Sequence, residues 1–398
     1  MRAFLKSAFA FCGGMMLALA GGEWFIRLLS PQRLDNNLDC FEPDSVLVFS
    51  MKKGYRTIHS SFEFSVPVAI SSFGIRDKEI TPKHESTFRV IGLGDSFTFG
   101  NGVKLEETFL KQLESCLKPT VPSVEVINCG IPAYSPLQEL RFLERYRASL
   151  EPDVVILGFF VGNDFIESGD LYDSAGTPTL RVVDGNLVST RAAEREHSMI
   201  RLISQPLRYY LSTHSHLYVF LRDRGSQLLS RFGLRPFNLP PDFCKKTYSE
   251  RMEAAWRYTQ AIIEATARNT AEHREKLIVV ILPVSYQVYQ HTWNEYIAAL
   301  KLDPSEYDLD KPQRLLAQFL DERGIEYVDP LPALRQNIIG PPLFYSVDGH
   351  LTAEGHRIVS RVICEKFRNA SWQGNGQQLR DVPEMTSGEN RTESPPLR

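Results

Sequence analysis

Five short segments of the chain are apolar at nearly every position, and segments with helical periodicity lie between them. An apolar run without alternation is typical of a strand that is buried on both faces, as in a parallel sheet covered by helices. Because such strands alternate with helices along the chain, the pattern predicts a three-layer α/β/α sandwich with a five-stranded parallel sheet. The strands are predicted at residues 89–94, 124–128, 154–160, 277–282 and 325–328.

The helices are predicted from the spacing of apolar residues and from residues that favour helix ends. Ser135-Pro136-Leu137-Gln138 combines an N-cap, a proline at the first helical position and a capping-box glutamine. Gly324 marks the end of the last of these segments. The helices are predicted from Leu105 to Cys116, from Ser135 to about Leu150, at 248–268 and at 312–323.

Three regions lie outside this alternation. Residues 23–87 are predicted to form an N-terminal arm of loops and short strands, ahead of the α/β domain at residues 88–368. Residues 166–243 are an insertion between the third and fourth strands, and they begin with a hairpin whose two-residue turn is Asp184-Gly185. Insertions at the carboxyl edge of a sheet commonly shape a binding site. The polar composition of residues 369–398 predicts a disordered tail.

Residues 1–22 have the pattern of a targeting segment. Arg2 and Lys6 precede an uncharged stretch at 8–22, and Ala18-Leu19-Ala20 resembles a cleavage site. The stretch is shorter than the roughly 20 residues of a spanning helix, although residues 24–26 could extend it. A cleaved signal peptide and a retained anchor both stay open. Either predicts export to the periplasm or the exterior, and an anchor would bring membrane association through residues 1–27.

Composition and cysteine spacing narrow the classes of partner. The net charge of −3 over 398 residues gives no attraction for nucleic acid, so no nucleic-acid partner is predicted. Six cysteines are present, and none forms a C-x-x-C pair of the kind that binds zinc. An exported protein could form a disulfide, but no partner can be chosen from the spacing, and we expect the cysteines to be mostly small buried residues.

Small polar clusters follow the first three predicted strands. These are Gly94-Asp95-Ser96, Asn128-Cys129-Gly130 and Gly162-Asn163-Asp164. Because the carboxyl ends of parallel strands meet at one edge of the sheet, we expect the three clusters to lie close together. Near the end of the domain, Asp348 and His350 occupy a loop before a helix that Thr352 could cap.

These blocks, in this order, resemble the SGNH or GDSL hydrolase family, and they span most of residues 88–367. The resemblance implies a flavodoxin-like sheet with Ser96 as nucleophile, His350 as general base and Asp348 as the residue that orients it. It also implies an oxyanion hole made by the backbone N–H groups of Ser96 and Gly130 and the side-chain amide of Asn163. The triad requires neither a cofactor nor a metal.

One feature departs from many members of that family, which space the last pair as Asp-x-x-His, whereas here it is Asp348-Gly349-His350. The assignment of Asp348 therefore rests on a spacing of two residues, and His356 is the rival base, although its position in the helix favours capping or packing. Asp95 is expected to order the turn before Ser96. His214 and His216 are two residues apart on a predicted helix and do not face together, so a metal pair is not expected.

Other nucleophile motifs are absent from the sequence. No G-x-S-x-G elbow and no phosphate-binding G-x-x-x-x-G-K-[ST] loop occurs. We therefore expect an extracytoplasmic serine esterase that hydrolyses small acyl esters on a carbohydrate or lipid through an acyl-enzyme. An O-acetyltransferase of a cell-surface polysaccharide, using the same triad, is the alternative. A non-catalytic carbohydrate-binding or assembly protein fits the intact residue set less well.

Overall fold

Five parallel strands form the central sheet at the positions indicated by their continuous apolarity, in the order β11-β10-β7-β5-β6. The structure, a computed structural model, describes residues 2–32, 34, 40–61, 63–165, 180–183, 186–189, 210–212, 214–231 and 241–369. Its strands are β1 Phe41–Asp44, β2 Val48–Met51, β3 Arg56–Ser60, β4 Ser65–Ala69, β5 Phe88–Gly94, β6 Val124–Asn128, β7 Val154–Phe160, β8 Leu180–Val183, β9 Asn186–Ser189, β10 Lys276–Leu282 and β11 Glu326–Val328. Strand β7, at the centre, is buried along its whole length.

Helices cover the sheet to complete the three-layer α/β/α sandwich, with α3 packed against α11 and α4 packed against α6. The predicted capping box is present, since the backbone N–H of Ser135 donates to Gln138 Oε1 at 3.2 Å. The helices are α1 Arg2–Leu29, α2 Ser96–Phe99, α3 Phe109–Leu117, α4 Pro136–Leu150, α5 His216–Arg231, α6 Glu250–Glu272, α7 Ser285–Val288, α8 Gln290–Leu300, α9 Lys311–Glu322, α10 Leu331–Gln336 and α11 Ala353–Asn369.

The helix predicted from Leu105 to Cys116 is divided in two. Leu105–Glu107 forms a 3-10 turn, and α3 begins only at Phe109. Thr108 stands between them with an extended backbone, and its hydroxyl accepts the N–H of Lys111. The apolar spacing continues across both pieces, so it did not reveal that an N-capping threonine interrupts the helix.

Cys116 and Cys364 form a disulfide, a bond that export allows but whose partners the sequence did not identify. The bond joins α3 to α11, two helices that pack on the same side of the sheet. Cys40, Cys129 and Cys244 match the expectation, because they are buried and take no part in a disulfide. The 248 residues that separate the bonded pair explain why spacing did not identify it.

The N-terminal arm contains two antiparallel hairpins, β1–β2 and β3–β4. The first hairpin is held by buried side chains of the α/β domain: the hydroxyl of Tyr134 donates to Phe49 O at 2.8 Å, and the amide of Gln138 donates to Leu47 O at 2.7 Å. The second hairpin, Arg56–Ala69, is called the arm hairpin below. Val68 of the arm hairpin lies in the same buried core as the strands of the sheet, so both hairpins belong to one packed body with it.

A carboxylate of helix α1 binds the start of α5. Glu23 accepts hydrogen bonds from the backbone N–H groups of His216 and Leu217, at 3.0 and 2.9 Å. These N–H groups lie at the start of α5 and have no acceptor within the helix. His216 Nδ1 accepts the N–H of Gln32, and His214 Nδ1 lies 3.0 Å from Tyr210 O, so the two histidines face different partners. Within the described residues, no helix is long and apolar enough to cross a membrane.

The insertion is described only in part. Strands β8 and β9 pair antiparallel with Val183 opposite Asn186, as the predicted hairpin requires, and the turn residues Asp184 and Gly185 lie outside the described residues. The predicted tail also lies outside them from residue 370 onward.

Candidate active site

The turn between β5 and α2 presents Ser96 to solvent while burying its neighbours. Gly94 has a φ of 152°, and a Cβ at this position would overlap Thr98. Asp95 caps α2 by accepting the N–H of Phe97 at 2.8 Å. Every residue from Arg89 to Val103 is buried except Ser96. The local sequence thus exposes one hydroxyl at the carboxyl edge of the sheet.

Ser96, His350 and Asp348 form a hydrogen-bonded chain. His350 Nε2 lies 2.7 Å from Ser96 Oγ, and His350 Nδ1 lies 2.5 Å from Asp348 Oδ1. The side chains of His350 and Asp348 are 20% and 23% exposed, so the chain is reachable from solvent at its open side. The shortened Asp-x-His spacing therefore still brings both residues to the serine.

The electrostatics of Asp348 suit an orienting role. Burial acts to raise its pKa, but the hydrogen bond from His350 and the attraction of that ring lower the pKa below its ordinary value. An ionised Asp348 accepts the proton on Nδ1 and so selects the imidazole tautomer whose Nε2 is free to accept from Ser96.

Two further side chains surround the imidazole. The ring of Phe97 lies 4.8 Å from that of His350 and stacks at 3.8 Å on Phe160, which fixes one side of the histidine. Asn101 Nδ2 lies 3.3 Å from His350 Nδ1, on the side of Asp348. Asn101 follows Ser96 by five residues in the same block, and that proximity was an available signal that sequence reasoning did not use.

Asn163 and Gly130 lie beside the nucleophile turn, but their donors are differently engaged. Asn163 Nδ2 donates to Asp95 Oδ2 at 3.5 Å, the long end of hydrogen bonding, and it carries a second proton. The backbone N–H of Gly130 donates to Asn128 Oδ1 at 3.0 Å. A Cβ on Gly130 would overlap the backbone of Phe99, so glycine is required for this close approach.

Asp95 is completely buried, and burial raises its pKa to about 6. The N–H of Phe97, the nearby His350 and the amide of Asn163 each stabilise the carboxylate and oppose that rise. Asp95 therefore orders the turn, as the sequence predicts, and it also contacts the amide of Asn163.

His356, the rival base, lies in α11 and is 1% exposed. Its Nδ1 accepts the N–H of Phe109, the first residue of α3, at 3.2 Å. Burial lowers its pKa to about 3, so the ring is neutral at physiological pH. These contacts make it a helix cap and packing residue, and the structure brings His350 to Ser96 in its place.

Three residues of the N-terminal arm reach this region without any signal in the sequence. Glu63 accepts from the backbone of the loop that carries Asp348. Arg76 is 1% exposed and donates to the carbonyls of Phe99, Gly100 and Val103, at the end of α2 and just beyond it. The side chain of His59 interacts electrostatically with Asp348 and His350, and burial lowers its pKa to about 4.

A cavity of about 910 Å³ adjoins the loop before His350. Its lining includes Glu63, Tyr345 and Ser346 but none of the triad or oxyanion residues. We therefore assign the reacting ester to the open side of Ser96 and not to this cavity.

A serine, a histidine and an aspartate linked by hydrogen bonds at the carboxyl edge of a parallel α/β/α sheet define a serine hydrolase. The sequence model of the GDSL-like lipase/acylhydrolase family matches residues 93–358. The chain belongs to that family, whose members act on ester bonds. The sequence matches no curated protein.

Solved structures similar to this chain include several esterases. A GDSL-like lipase from Bacteroides thetaiotaomicron is 15% identical, covers 72% of this chain and 91% of its own, and has a TM-score of 0.34. A catalytic mutant of an acetylxylan esterase from Geobacillus stearothermophilus is 13% identical, with 72% and 96% covered and a TM-score of 0.35. A two-domain esterase active on acetylated mannans is 13% identical, with 71% and 49% covered and a TM-score of 0.37.

Proposed function

We propose that the chain is an extracytoplasmic serine esterase that removes small acyl groups from a carbohydrate or lipid through an acyl-enzyme. The observation that supports this most directly is the continuous hydrogen-bonded chain from Ser96 Oγ through His350 to Asp348, with separations of 2.7 and 2.5 Å. The first separation is short enough for His350 to take the proton of Ser96, and the second is short enough for Asp348 to orient His350, as acyl transfer requires.

The reaction begins when Ser96 Oγ attacks the ester carbonyl and His350 Nε2 takes the hydroxyl proton. His350 then gives this proton to the departing alcohol as the tetrahedral intermediate collapses to the acyl-enzyme. Water attacks the acyl-enzyme next, with His350 again as the base, and His350 returns the proton to Ser96 Oγ as the carboxylic acid leaves. Asp348 keeps the proton on Nδ1 throughout and stabilises the transient imidazolium.

The developing oxyanion needs donors that are already in place. Asn163 supplies the proton of Nδ2 that is not directed to Asp95, and the N–H of Ser96 lies at the start of α2. The N–H of Gly130 takes part only by sharing its proton between the oxyanion and Asn128 Oδ1. We therefore assign the larger share of oxyanion stabilisation to Asn163 and Ser96.

Placement outside the cytoplasm is supported by two features. Residues 1–22 have the charge and apolar pattern of a targeting segment. The disulfide between Cys116 and Cys364 is a bond of a kind that persists in oxidising compartments and is rare in the cytosol. The substrate would then be an ester on a molecule outside the cytoplasm.

The nucleophile is tested with a chromogenic acetyl ester and a fluorophosphonate probe. Ser96→Ala should lower turnover on the order of 10⁶-fold, as loss of a triad serine does, and should abolish labelling. Mass spectrometry should place the adduct of the wild-type protein on Ser96.

Ser115 provides a matched control, because it is an exposed serine on α3 whose hydroxyl donates only to Lys111 O. Ser115→Ala should retain full turnover and labelling. Normal activity in Ser96→Ala, or an adduct on another residue, would show that the proposed nucleophile is wrong.

A further inference from the structure

The arm hairpin carries a carboxylate to the loop that holds Asp348. Glu63 lies in the short connection between β3 and β4, where the N–H of Ser61 donates to Phe64 O at 2.8 Å and the N–H of Glu63 donates to Ser61 Oγ at 3.0 Å. These bonds fix the positions of Ser61, Glu63 and Phe64 relative to one another. Glu63 precedes the segment matched by the family model by thirty residues, so the family match does not account for it.

Both oxygens of Glu63 are occupied by that loop. Oε1 accepts from Ser346 Oγ at 2.9 Å and from the N–H of Val347 at 3.0 Å. Oε2 accepts from the N–H of Asp348 at 2.7 Å and from that of Val347 at 3.1 Å. A carboxylate that receives several charge-assisted bonds holds its donors more firmly than a neutral acceptor would.

The loop needs such an anchor because few internal bonds define it. The N–H of Tyr345 donates to His350 O at 2.8 Å, and the N–H of Gly349 donates to Tyr345 O at 3.2 Å. Gly349 adopts a left-handed φ of 87°, which lets the chain turn between the aspartate and the histidine. The N–H groups of Val347 and Asp348 are bonded to Glu63, and they immediately precede the carboxylate that orients the imidazole.

The arm hairpin is itself fixed against both halves of the site. The ring of Phe64 lies 5.1 Å from that of Tyr345, whose hydroxyl donates to Gly102 O at 2.8 Å. Arg76 donates to Pro67 O within the hairpin at 3.3 Å and to Gly100 O beyond the nucleophile helix at 2.7 Å. The arm hairpin that carries Glu63 therefore contacts the segment after α2 as well as the loop 345–350, which is called the aspartate loop below.

We propose that Glu63 is a positioning residue of the triad: it sets the backbone at Asp348 so that this carboxylate meets His350 Nδ1. The inference rests on the proposed function for its kinetic consequence. The effect of Glu63 on the geometry of Asp348 can be tested without measuring turnover.

The test compares Glu63→Ala with Glu63→Gln. Alanine removes all the acceptors. Glutamine can place its oxygen where Oε2 accepts from Val347 and Asp348, and it can direct its amide to Ser346, whose hydroxyl accepts as readily as it donates. We expect Glu63→Ala to lower kcat by roughly 10- to 100-fold, as a misplaced catalytic group does, with little change in KM. Glu63→Gln should restore kcat to within about threefold of wild type.

Glu79→Ala is the matched control. Glu79 is another carboxylate of the arm, and it accepts from the N–H of Ser72 at 3.0 Å without contacting the aspartate loop. We expect it to retain kcat. Turnover is referred to the amount of folded protein, so that a general loss of stability does not imitate a positioning effect.

The proton between His350 Nδ1 and Asp348 supplies a readout that needs no substrate. We expect its low-field NMR resonance in wild type and in Glu63→Gln, and its loss or displacement in Glu63→Ala. An unchanged kcat and resonance in Glu63→Ala would overturn the proposal, and so would a Glu63→Gln variant as impaired as Glu63→Ala. If the wild type turns over no ester while the resonance still depends on Glu63, the proposed function fails and the positioning role stands.

Discussion

Asp95 is the residue at which the requirements of the site and of the fold differ most. It caps α2 through Phe97 and contacts the amide of Asn163, yet it is completely buried. Burial raises its pKa to about 6, from an ordinary value of 3.8. The folded state therefore binds this proton more tightly than the unfolded state, and the stability that Asp95 contributes falls as pH rises from about 4 to 6.

Replacing Asp95 with Asn removes the charge and keeps an acceptor for the N–H of Phe97. We expect the free energy of unfolding of Asp95→Asn, taken relative to that of wild type, to grow by on the order of 3 kcal/mol as pH rises from 4 to 7. Denaturant titrations of both proteins at several pH values measure this difference.

Asp303→Asn supplies a comparison of opposite sign. Asp303 is exposed and caps a 3-10 turn through the N–H of Ser305, and its hydrogen bonds with Ser305 lower its pKa. The stability that Asp303 contributes is present above its unfolded pKa and is lost as pH falls. Asp303→Asn should therefore become less stable relative to wild type as pH rises. A difference between Asp95→Asn and wild type that does not vary with pH would contradict the assignment.

At this scale, the sequence predicted residues that lie at strand ends and missed those that arrive from elsewhere. Ser96 and Asn163 follow buried strands, and parallel strands must bring such positions to one edge. Glu63 meets Asp348 across a separation of 285 residues. Nothing in the local pattern around Glu63 distinguishes it from a solvated carboxylate, so only the packed arm reveals its contact.

The junction of α3 and α11 shows how one buried side chain joins two elements. His356 accepts the N–H of Phe109, one of the donors that a helix start leaves free, and its ring stacks on that of Phe109 at 5.7 Å. His356→Phe retains an aromatic ring but leaves this buried N–H without its acceptor. We expect a loss of about 1–3 kcal/mol at pH 7, with turnover per folded molecule unchanged.

The pH dependence of His356 also has a definite sign. Because its folded pKa is lowered to about 3 from an ordinary value of 6.5, the unfolded state binds the proton more tightly. Stability from His356 is complete above pH 6.5 and declines as pH falls. Wild type should therefore lose stability relative to His356→Phe on acidification, and loss of activity in that variant would revive His356 as the base. The exposed His84, changed to Phe, should leave the melting temperature at pH 7 unaltered.

The sheet could be predicted because its strands are buried on both faces and therefore carry uninterrupted apolar runs. β7 and β10 are the clearest cases, since all seven residues of β7 and six of seven in β10 are buried. The arm was harder to predict, because β3 alternates between exposed and half-buried positions over only four residues before the buried Ser60. A pattern so short predicts a strand without indicating what it pairs with or covers.

For the whole molecule, the arm and the α/β domain pack together as one unit. The family match covers residues 93–358, but Arg76 and Glu63 reach the loops on either side of the triad from outside that segment. The first hairpin is bonded to the domain through Tyr134 and Gln138. A chain trimmed to the family segment would therefore expose buried polar groups and release both loops.

The disulfide links the compartment of the whole chain to its stability. Cys116 and Cys364 tie α3 to α11 across 248 residues, and a disulfide typically contributes about 2–4 kcal/mol, with the larger contributions from longer loops. Such a bond forms where thiols are oxidised, and residues 1–22 would deliver the chain there.

We therefore expect the full chain, expressed in a bacterium, to be recovered outside the cytoplasm with this bond formed. Alkylation of the denatured chain before reduction should modify Cys40, Cys129 and Cys244, together with Cys12 where the N-terminal segment is retained, while Cys116 and Cys364 should react only after reduction. Recovery from the cytoplasm with Met1 intact and every cysteine alkylated before reduction would show that the chain is not exported.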